Sequence, residues 1–165
     1  MKVIIVTGSV GSGKTTLSRK LARKLGFKYI DVNRIIKEYN LSESYDRKRK
    51  CKVVDVNRLS KALIDKIDKL KGDFEKGIII DSHLSHHMPR KHVDLCIVTK
   101  CDLGVLEKRL KKRRYCKGKI RENIDCEIFD ICFNEAKEAK HKVIVIDTTK
   151  GINISEISKK VKGRK

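Results

Sequence analysis

The sequence predicts an α/β protein, a parallel sheet covered by helices on both faces. Three observations predict it. Short apolar runs rich in Val and Ile alternate along the chain with stretches of helical period. The first run (2–7) is unbroken, as in a strand buried on both faces. That run passes through a glycine loop directly into a helical pattern, and a later run ends in an acid, Asp81.

The loop comes first in the chain. Gly8 ends the first strand, and Lys14 opens the helical pattern Leu17, Leu21, Ala22, Leu25, closed by Gly26. Between them, residues 8–15 spell G-x-x-x-x-G-K-[ST], with Thr16 following. In the order strand, loop, helix this pattern is a phosphate cradle rather than a ligand-free glycine turn. Without a Cβ at Gly8, Gly11 and Gly13, the loop can curl until successive backbone N–H groups converge on one anion. The positive end of the helix dipole sits beneath them. Lys14 adds a mobile charge for the β- and γ-phosphates, and the Thr15 hydroxyl suits Mg²⁺. These residues predict a nucleoside triphosphate ligand bound with Mg²⁺.

Residues 27–32 read as a second strand, and Asp31 or Asn33 can cap a helix carrying Ile35, Ile36 and Tyr39. Residues 40–52 are polar and hold the basic run Arg47-Lys48-Arg49-Lys50, which reads as a solvated loop or an anion contact. Helical period resumes over 55–70, and Gly72 and Gly77 frame a turn. The third strand, Ile78-Ile79-Ile80-Asp81, delivers its acid to the carboxyl end of the sheet, where ligands bind in open α/β folds. Asp81 could hold Mg²⁺ through water, and His83 would share that edge.

A loop with the only proline, Pro89, leads to a fourth strand over 93–98. Thr99-Lys100-Cys101-Asp102 imitates a guanine-reading signature, but the accompanying D-x-x-G is missing, since Asp81 is followed by Ser82, His83 and Leu84. Asp102 instead suits an N-cap for the helix carrying Leu103, Val105, Leu106 and Leu110. The segment Lys108 to Tyr115 is densely cationic. One long helix is expected over 120–139, with Ile124, Ile128, Ile131 and Cys132 on one side. A fifth strand spans 142–147, and Asn153 or Ser155 starts a short C-terminal helix. With no internal repeat or composition shift, residues 1–165 read as one domain.

The balance of 41 Lys+Arg against 21 Asp+Glu gives a formal charge of +20, far beyond what nucleotide phosphates require, so a polyanionic partner is expected. A lysine- and isoleucine-rich chain also suits a thermophilic source. No window has the roughly 18 consecutive apolar residues of a membrane span, and a core strand at the N-terminus is unlike a signal peptide. A cytoplasmic protein with no membrane partner is expected. The six cysteines show no C-x-x-C pair and read as reduced and unligated. His83, His86, His87 and His92, with Cys96 nearby, raise the question of zinc, but Cys96 belongs to a strand core. A polar active-site loop is the better reading.

Four features together resemble the adenylate kinase isoenzyme six family, which includes a coilin-interacting nuclear ATPase and small-subunit ribosome maturation factor. They are the phosphate loop, Asp81-Ser82-His83, the basic segment near Arg113, and Asn123-Ile124-Asp125-Cys126-Glu127-Ile128-Phe129. The resemblance runs from Val3 to about Ala139. It implies a P-loop NMP-kinase fold with a five-stranded parallel sheet. It also implies a monophosphate-binding flap over 31–54, with Asp31, Arg34 and Lys37 toward the acceptor, and a short lid over 112–122. Gly8, Gly11, Gly13, Lys14, Thr15 and Thr16 would bind ATP, with Arg113 as an ATP-contacting and catalytic arginine. Asp81 and His83 would match the family's D-x-H pair, tied to magnesium and ATPase chemistry. The implied reaction moves phosphate between ATP and AMP or another nucleoside monophosphate, with ATP hydrolysis beside it. The implied partners are a small-subunit ribosomal protein and rRNA. Lys37 stands where the family often has arginine, and a lysine cannot form the bidentate fork to phosphate. The basic run at Arg47 and Arg114 before Tyr115 also depart from the pattern. Two other readings stay open: a nucleotide-switched assembly factor, and a small-metabolite kinase of the same fold.

Overall fold

The structure, a computed structural model, describes residues 1–47, 51–71 and 76–163, with the side chains of 51 and 52 excepted. Five parallel strands, β1 (Lys2–Thr7), β2 (Lys28–Asp31), β5 (Gly77–Asp81), β6 (Leu95–Lys100) and β7 (Val143–Asp147), form one sheet in the order β2-β5-β1-β6-β7. The chain crosses from one side of β1 to the other between β5 and β6. The crevice at the carboxyl end of β1 is therefore the switch point of the sheet.

Alternation along β1 explains the two layers. Val3 and Ile5 point to the face packed by α2 (Val32–Glu38) and α3 (Val56–Lys71), through Ile35, Leu59, Leu63 and Ile67. Ile4 and Val6 point to the face packed by α1 (Lys14–Leu25) and α7 (Ile154–Lys162), through Leu17, Leu21, Ile157 and Val161. Full burial of Ile4 and Ile5 contributes about 2–3 kcal/mol each. The expected caps are present: Gly26 closes α1 in the left-handed conformation, and Asp31 accepts from Asn33 N at the start of α2. Asp102 caps α4 (Leu103–Lys112) through Val105 N, and Asn153 caps α7 through Glu156 N. No helix among the described residues is long and apolar enough to cross a membrane.

The structure corrects four sequence expectations. The polar stretch after Asn40 is not all loop, because β3 (Ser42–Asp46) and β4 (Cys51–Val54) pair as an antiparallel hairpin. Of its basic run only Arg47 lies within the described residues. Gly77 belongs to β5 rather than to a turn: a Cβ there would lie 2.5 Å from the Phe27 ring and 2.7 Å from Lys2 O. Residues 72–75 lie outside the described residues. The fourth strand begins two residues late, since Asp94 turns its carboxylate to Val3 N (2.7 Å), while Thr99 and Lys100 pair with Ile146 and Asp147.

The long helix is two, α5 (Lys117–Ile128) and α6 (Ile131–Glu138). They are broken at Asp130, whose φ of 53° no helix continues. Asn134 Nδ2 donates to Phe129 O (3.0 Å), satisfying a carbonyl the break frees, and Lys100 pairs with Asp130. Ile128 and Ile131, expected on a packed side, are instead exposed.

Candidate active site

The phosphate loop leaves β1 at Gly8 and enters α1 at Gly13. Gly8 has φ 137°, and a Cβ there would lie 2.5 Å from Thr99 O, so strand β6 leaves room only for glycine. Lys14 folds back over the loop and donates to Gly8 O (2.9 Å) and Ser9 O (2.8 Å). Burial pushes its pKa down, with the Asp81 carboxylate opposing.

Hydrogen bonds from distant parts of the chain hold this loop. Ser9 Oγ donates to Glu127 Oε2 (2.5 Å), whose other oxygen accepts Cys101 N (2.7 Å). Val10 N donates to Asn123 Oδ1 (3.0 Å), one helical turn before Glu127. The Ser12 and Thr99 hydroxyls lie 2.6 Å apart, and Thr148 Oγ1 donates to Ser12 O (2.7 Å). Arg109 donates to Thr148 O (2.9 Å) and reaches Gly11 O at 3.4 Å. These groups satisfy backbone and hydroxyl atoms that would otherwise be buried unpaired. Asn123, Glu127, Arg109 and Thr148 thus support the loop, a role the sequence reading did not assign. The signal was the pair of polar residues one turn apart in the Asn123–Phe129 motif.

Asp81, at the end of β5 and nearly buried, accepts the Tyr29 hydroxyl at 2.9 Å. Burial and the neighbouring Asp81 charge hold the Tyr29 phenol up at about 12. His83 stands on the cleft wall. The crowded wall and then the Lys14 charge push its pKa down to about 4, so its imidazole is neutral at neutral pH.

One cleft of about 610 Å³ joins these groups. Gly11, Gly13, Lys14, Thr15 and Thr16 line one end, and Asn33, Ile36, Lys37 and Val54 the other. Asp81 and His83 lie along it, with Arg113, Tyr115 and Asn123 also in its wall. Arg113 ends α4 with its side chain exposed, and its charge bears on Lys14. Asp31 and Arg34 are not in this cleft. They line a separate groove of about 430 Å³ with Arg19, Arg23, Phe27 and Tyr29, and the Asp31 carboxylate is engaged as the α2 cap.

The histidines divide. His86 is buried, its Nδ1 2.7 Å from Thr7 Oγ1 and its Nε2 2.7 Å from Glu135 Oε2. Burial lowers its pKa to about 4, and the neutral ring satisfies both partners. His86, His87 and Glu135 could approach one ion, but His83, His92 and Cys96 do not join them. Cys96 is in the sheet core, as the sequence predicts.

The residues fit ATP and Mg²⁺. The loop offers the N–H cradle and ammonium, and the Thr15 hydroxyl opens on the same cleft as the Asp81 carboxylate. The sheet order and the phosphate loop define the P-loop nucleoside monophosphate kinase fold. A solved deoxyadenosine kinase from M. mycoides with bound dATP shares the architecture, with a TM-score of 0.60 at 17% identity over 99% of this chain and 100% of that one.

Residues 4–130 match a family model described as an AAA domain. The chain is 38% identical over 142 residues to the adenylate kinase isoenzyme 6 homolog of Caenorhabditis elegans, covering 86% of this chain and 76% of that protein. It is 32% identical over 149 residues to the Dictyostelium discoideum protein of the same name, covering 87% and 79%. The chain belongs to the adenylate kinase isoenzyme 6 family.

Proposed function

We propose that this chain is an ATP-dependent nucleoside monophosphate kinase that converts ATP and AMP to two ADP. The observation that carries the reading is the single cleft running from Lys14 and the phosphate loop, past Asp81, to Lys37 and Asn33 on α2. Phosphoryl transfer needs positioning and charge neutralisation more than covalent chemistry, and a cleft cationic at both ends meets that need. Lys14 and Arg113 neutralise charge on the transferred group, and Lys37 attracts the acceptor phosphate. Thr15, with Asp81 through water, would hold Mg²⁺, which supplies further neutralisation at the phosphate oxygens. Neutral His83 can orient a water beside Asp81, giving slow ATP hydrolysis when no acceptor is seated. The names of the relatives, adenylate kinase isoenzyme 6 homologs, support the choice of ATP and AMP.

The test is ADP formation from Mg-ATP with AMP, then with a panel of other monophosphates. The reading expects ADP to rise when AMP is added and predicts loss of turnover in Lys14→Ala. ADP formation at the same rate with and without AMP would contradict it. His83→Ala should impair hydrolysis more than transfer, and equal losses would remove the water-orienting role.

A second reading rests on charge. Lys108, Lys112, Arg114 and Lys117 are exposed around the end of α4 and the start of α5, and none forms an ion pair with a described residue. With a formal charge of +20, the chain suits a nucleotide-switched factor in small-subunit assembly, meeting rRNA or a ribosomal protein. With four Tyr, four Phe and no Trp, such binding would be charge-driven. Its affinity should fall steeply with salt, and a salt-independent affinity would refute it.

A further inference from the structure

Two thiols lie behind the phosphate loop. Cys126, in the last turn of α5, and Cys132, in the first turn of α6, have Sγ atoms 3.8 Å apart. The left-handed Asp130 reverses the chain between them and so brings the two helix ends together. Both thiols border a cavity of about 10 Å³ shared with Gly8, Ser9 and Glu127, room for about one water-sized molecule. Cys126 is half-buried and Cys132 is 9% exposed. The two sulfurs are therefore unequal. The contact between the two sulfurs favours the thiolate on Cys126, the more open of the pair, and draws its pKa down, against burial, Glu127 and Glu135. The same contact, with burial, pushes Cys132 up, and Lys14 opposes this. One sulfur is poised to attack and the other to resolve.

We propose that Cys126 and Cys132 form a peroxide-reactive dithiol, and that its oxidation to a disulfide weakens nucleotide binding at the adjoining loop. The Cys126 thiolate attacks one oxygen of a small hydroperoxide. The S–O bond forms, the O–O bond breaks, and the alkoxide or hydroxide leaves and takes up a proton as alcohol or water. The Cys132 sulfur then attacks Cys126, forming S–S and breaking S–O. The departing hydroxide takes the Cys132 proton and leaves as water. Two thiols have given up two electrons, and one peroxide has been reduced.

The link to the loop is short. Closing 3.8 Å to the roughly 2.05 Å of a disulfide moves the Cys126 side chain and strains the last turn of α5 that carries it. Glu127, the next residue, carries the hydrogen bonds to Ser9 Oγ (2.5 Å) and Cys101 N (2.7 Å), and Ser9 O in turn accepts the Lys14 ammonium. By reciprocity, nucleotide that favours the intact loop should shift the dithiol–disulfide equilibrium toward the dithiol.

The experiment uses the full chain in a Cys51→Ser/Cys116→Ser background, which removes exposed Cys116 and Cys51 of the hairpin as competing thiols. It is treated with equimolar hydrogen peroxide, with and without Mg-ATP. The expected product is about 2 Da lighter, with a 126–132 crosslink in the peptide map. Mg-ATP affinity should fall roughly tenfold and recover with dithiothreitol, and in a glutathione redox buffer saturating Mg-ATP should shift the 126–132 equilibrium toward the dithiol by the same factor. In Cys132→Ser the reaction should stop at a sulfenic acid on Cys126, trapped by dimedone. Peroxide that oxidises Cys96 or Cys101 while 126 and 132 stay reduced overturns the dithiol. A crosslink that leaves Mg-ATP affinity unchanged overturns its coupling to the loop. Only this coupling arm rests on residues 8–15 binding nucleotide. Reduced protein that binds no Mg-ATP would defeat that reading, while the thiol chemistry would stand or fall by its own crosslink.

Discussion

The two ends of the cleft are built differently. At the phosphate-loop end, contacts join residues far apart in the chain: Ser9 with Glu127, Val10 with Asn123, Ser12 with Thr99 and Thr148. At the α2 end the polar lining is open: Asn33 and Lys37 are exposed, and next to Lys37, Glu38 meets Lys66 of α3 at 3.7 Å near the surface. The hairpin over this end exposes Tyr45 and Val53. Long-range buried hydrogen bonds preorganise a site, whereas exposed ion pairs contribute little. The phosphate-loop end is thus held by contacts buried in the fold, while the α2 end presents a few exposed side chains that can change without disturbing the core.

The contrast can be broken or sharpened by substitution, beginning with the largest effect. Lys14→Ala should lower kcat/KM for ATP by roughly 10²–10³-fold, the scale of removing one preorganised charge. Steady-state ADP formation reads it, and full turnover would undo the donor assignment. Glu127→Ala should strand the Ser9 hydroxyl and Cys101 N–H. It should destabilise the protein by about 2–4 kcal/mol, seen in denaturant melts, and weaken Mg-ATP binding as well. An equivalent substitution at the acceptor end, Glu38→Ala, should change stability by less than about 0.5 kcal/mol. If the two cost the same, the contrast between the ends is lost.

Part of the pH dependence of stability follows from His86, beside His83 and His141, whose pKa values are lowered likewise. The His86 pKa falls from 6.5 unfolded to about 4 folded, because burial favours the neutral ring. Below pH 6.5 the unfolded state binds more protons, so the His86 contribution is present above that pH and is lost as pH falls toward 4. The loss is about 2–3 kcal/mol. Denaturant melts from pH 7 to 4 should show it, and His86→Asn should reduce the slope, with the part due to His83 and His141 remaining. An unchanged slope would refute the assignment to His86. Smaller again, Lys37→Ala should raise KM for AMP roughly tenfold and leave KM for ATP unchanged. Equal rises in both would show that Lys37 does not serve one end of the cleft.

Much of this was legible because it is written in short patterns. The unbroken β1 run, the glycines at 8, 11 and 13, the acid closing β5 and the caps Asp31, Asp102 and Asn153 each state a local geometry in adjacent residues. The hairpin was hidden because Ser42 to Asp46 carries little apolar signal and pairs only with the equally short β4. The α5–α6 break was hidden because neither Gly nor Pro marks it, and Asp130 takes the left-handed conformation that glycine usually signals. The Glu127 and Asn123 support was unreadable as geometry, since it depends on which loop α5 reaches after folding. Arg34 and Lys37 look equivalent in sequence. On the short α2 helix Lys37 shares the cleft with Asn33, one turn earlier, whereas Arg34 faces the outer groove with Asp31.

The central claim is that one cleft seats two nucleotides end to end, and a bisubstrate analogue tests it most directly. Titration calorimetry with two adenosines joined by a pentaphosphate should give an affinity at least about tenfold above that of ATP. That advantage should shrink in Lys37→Ala, and binding should be lost in Lys14→Ala. An analogue bound no more tightly than ATP, with Lys37→Ala indistinguishable from the parent, would contradict the claim.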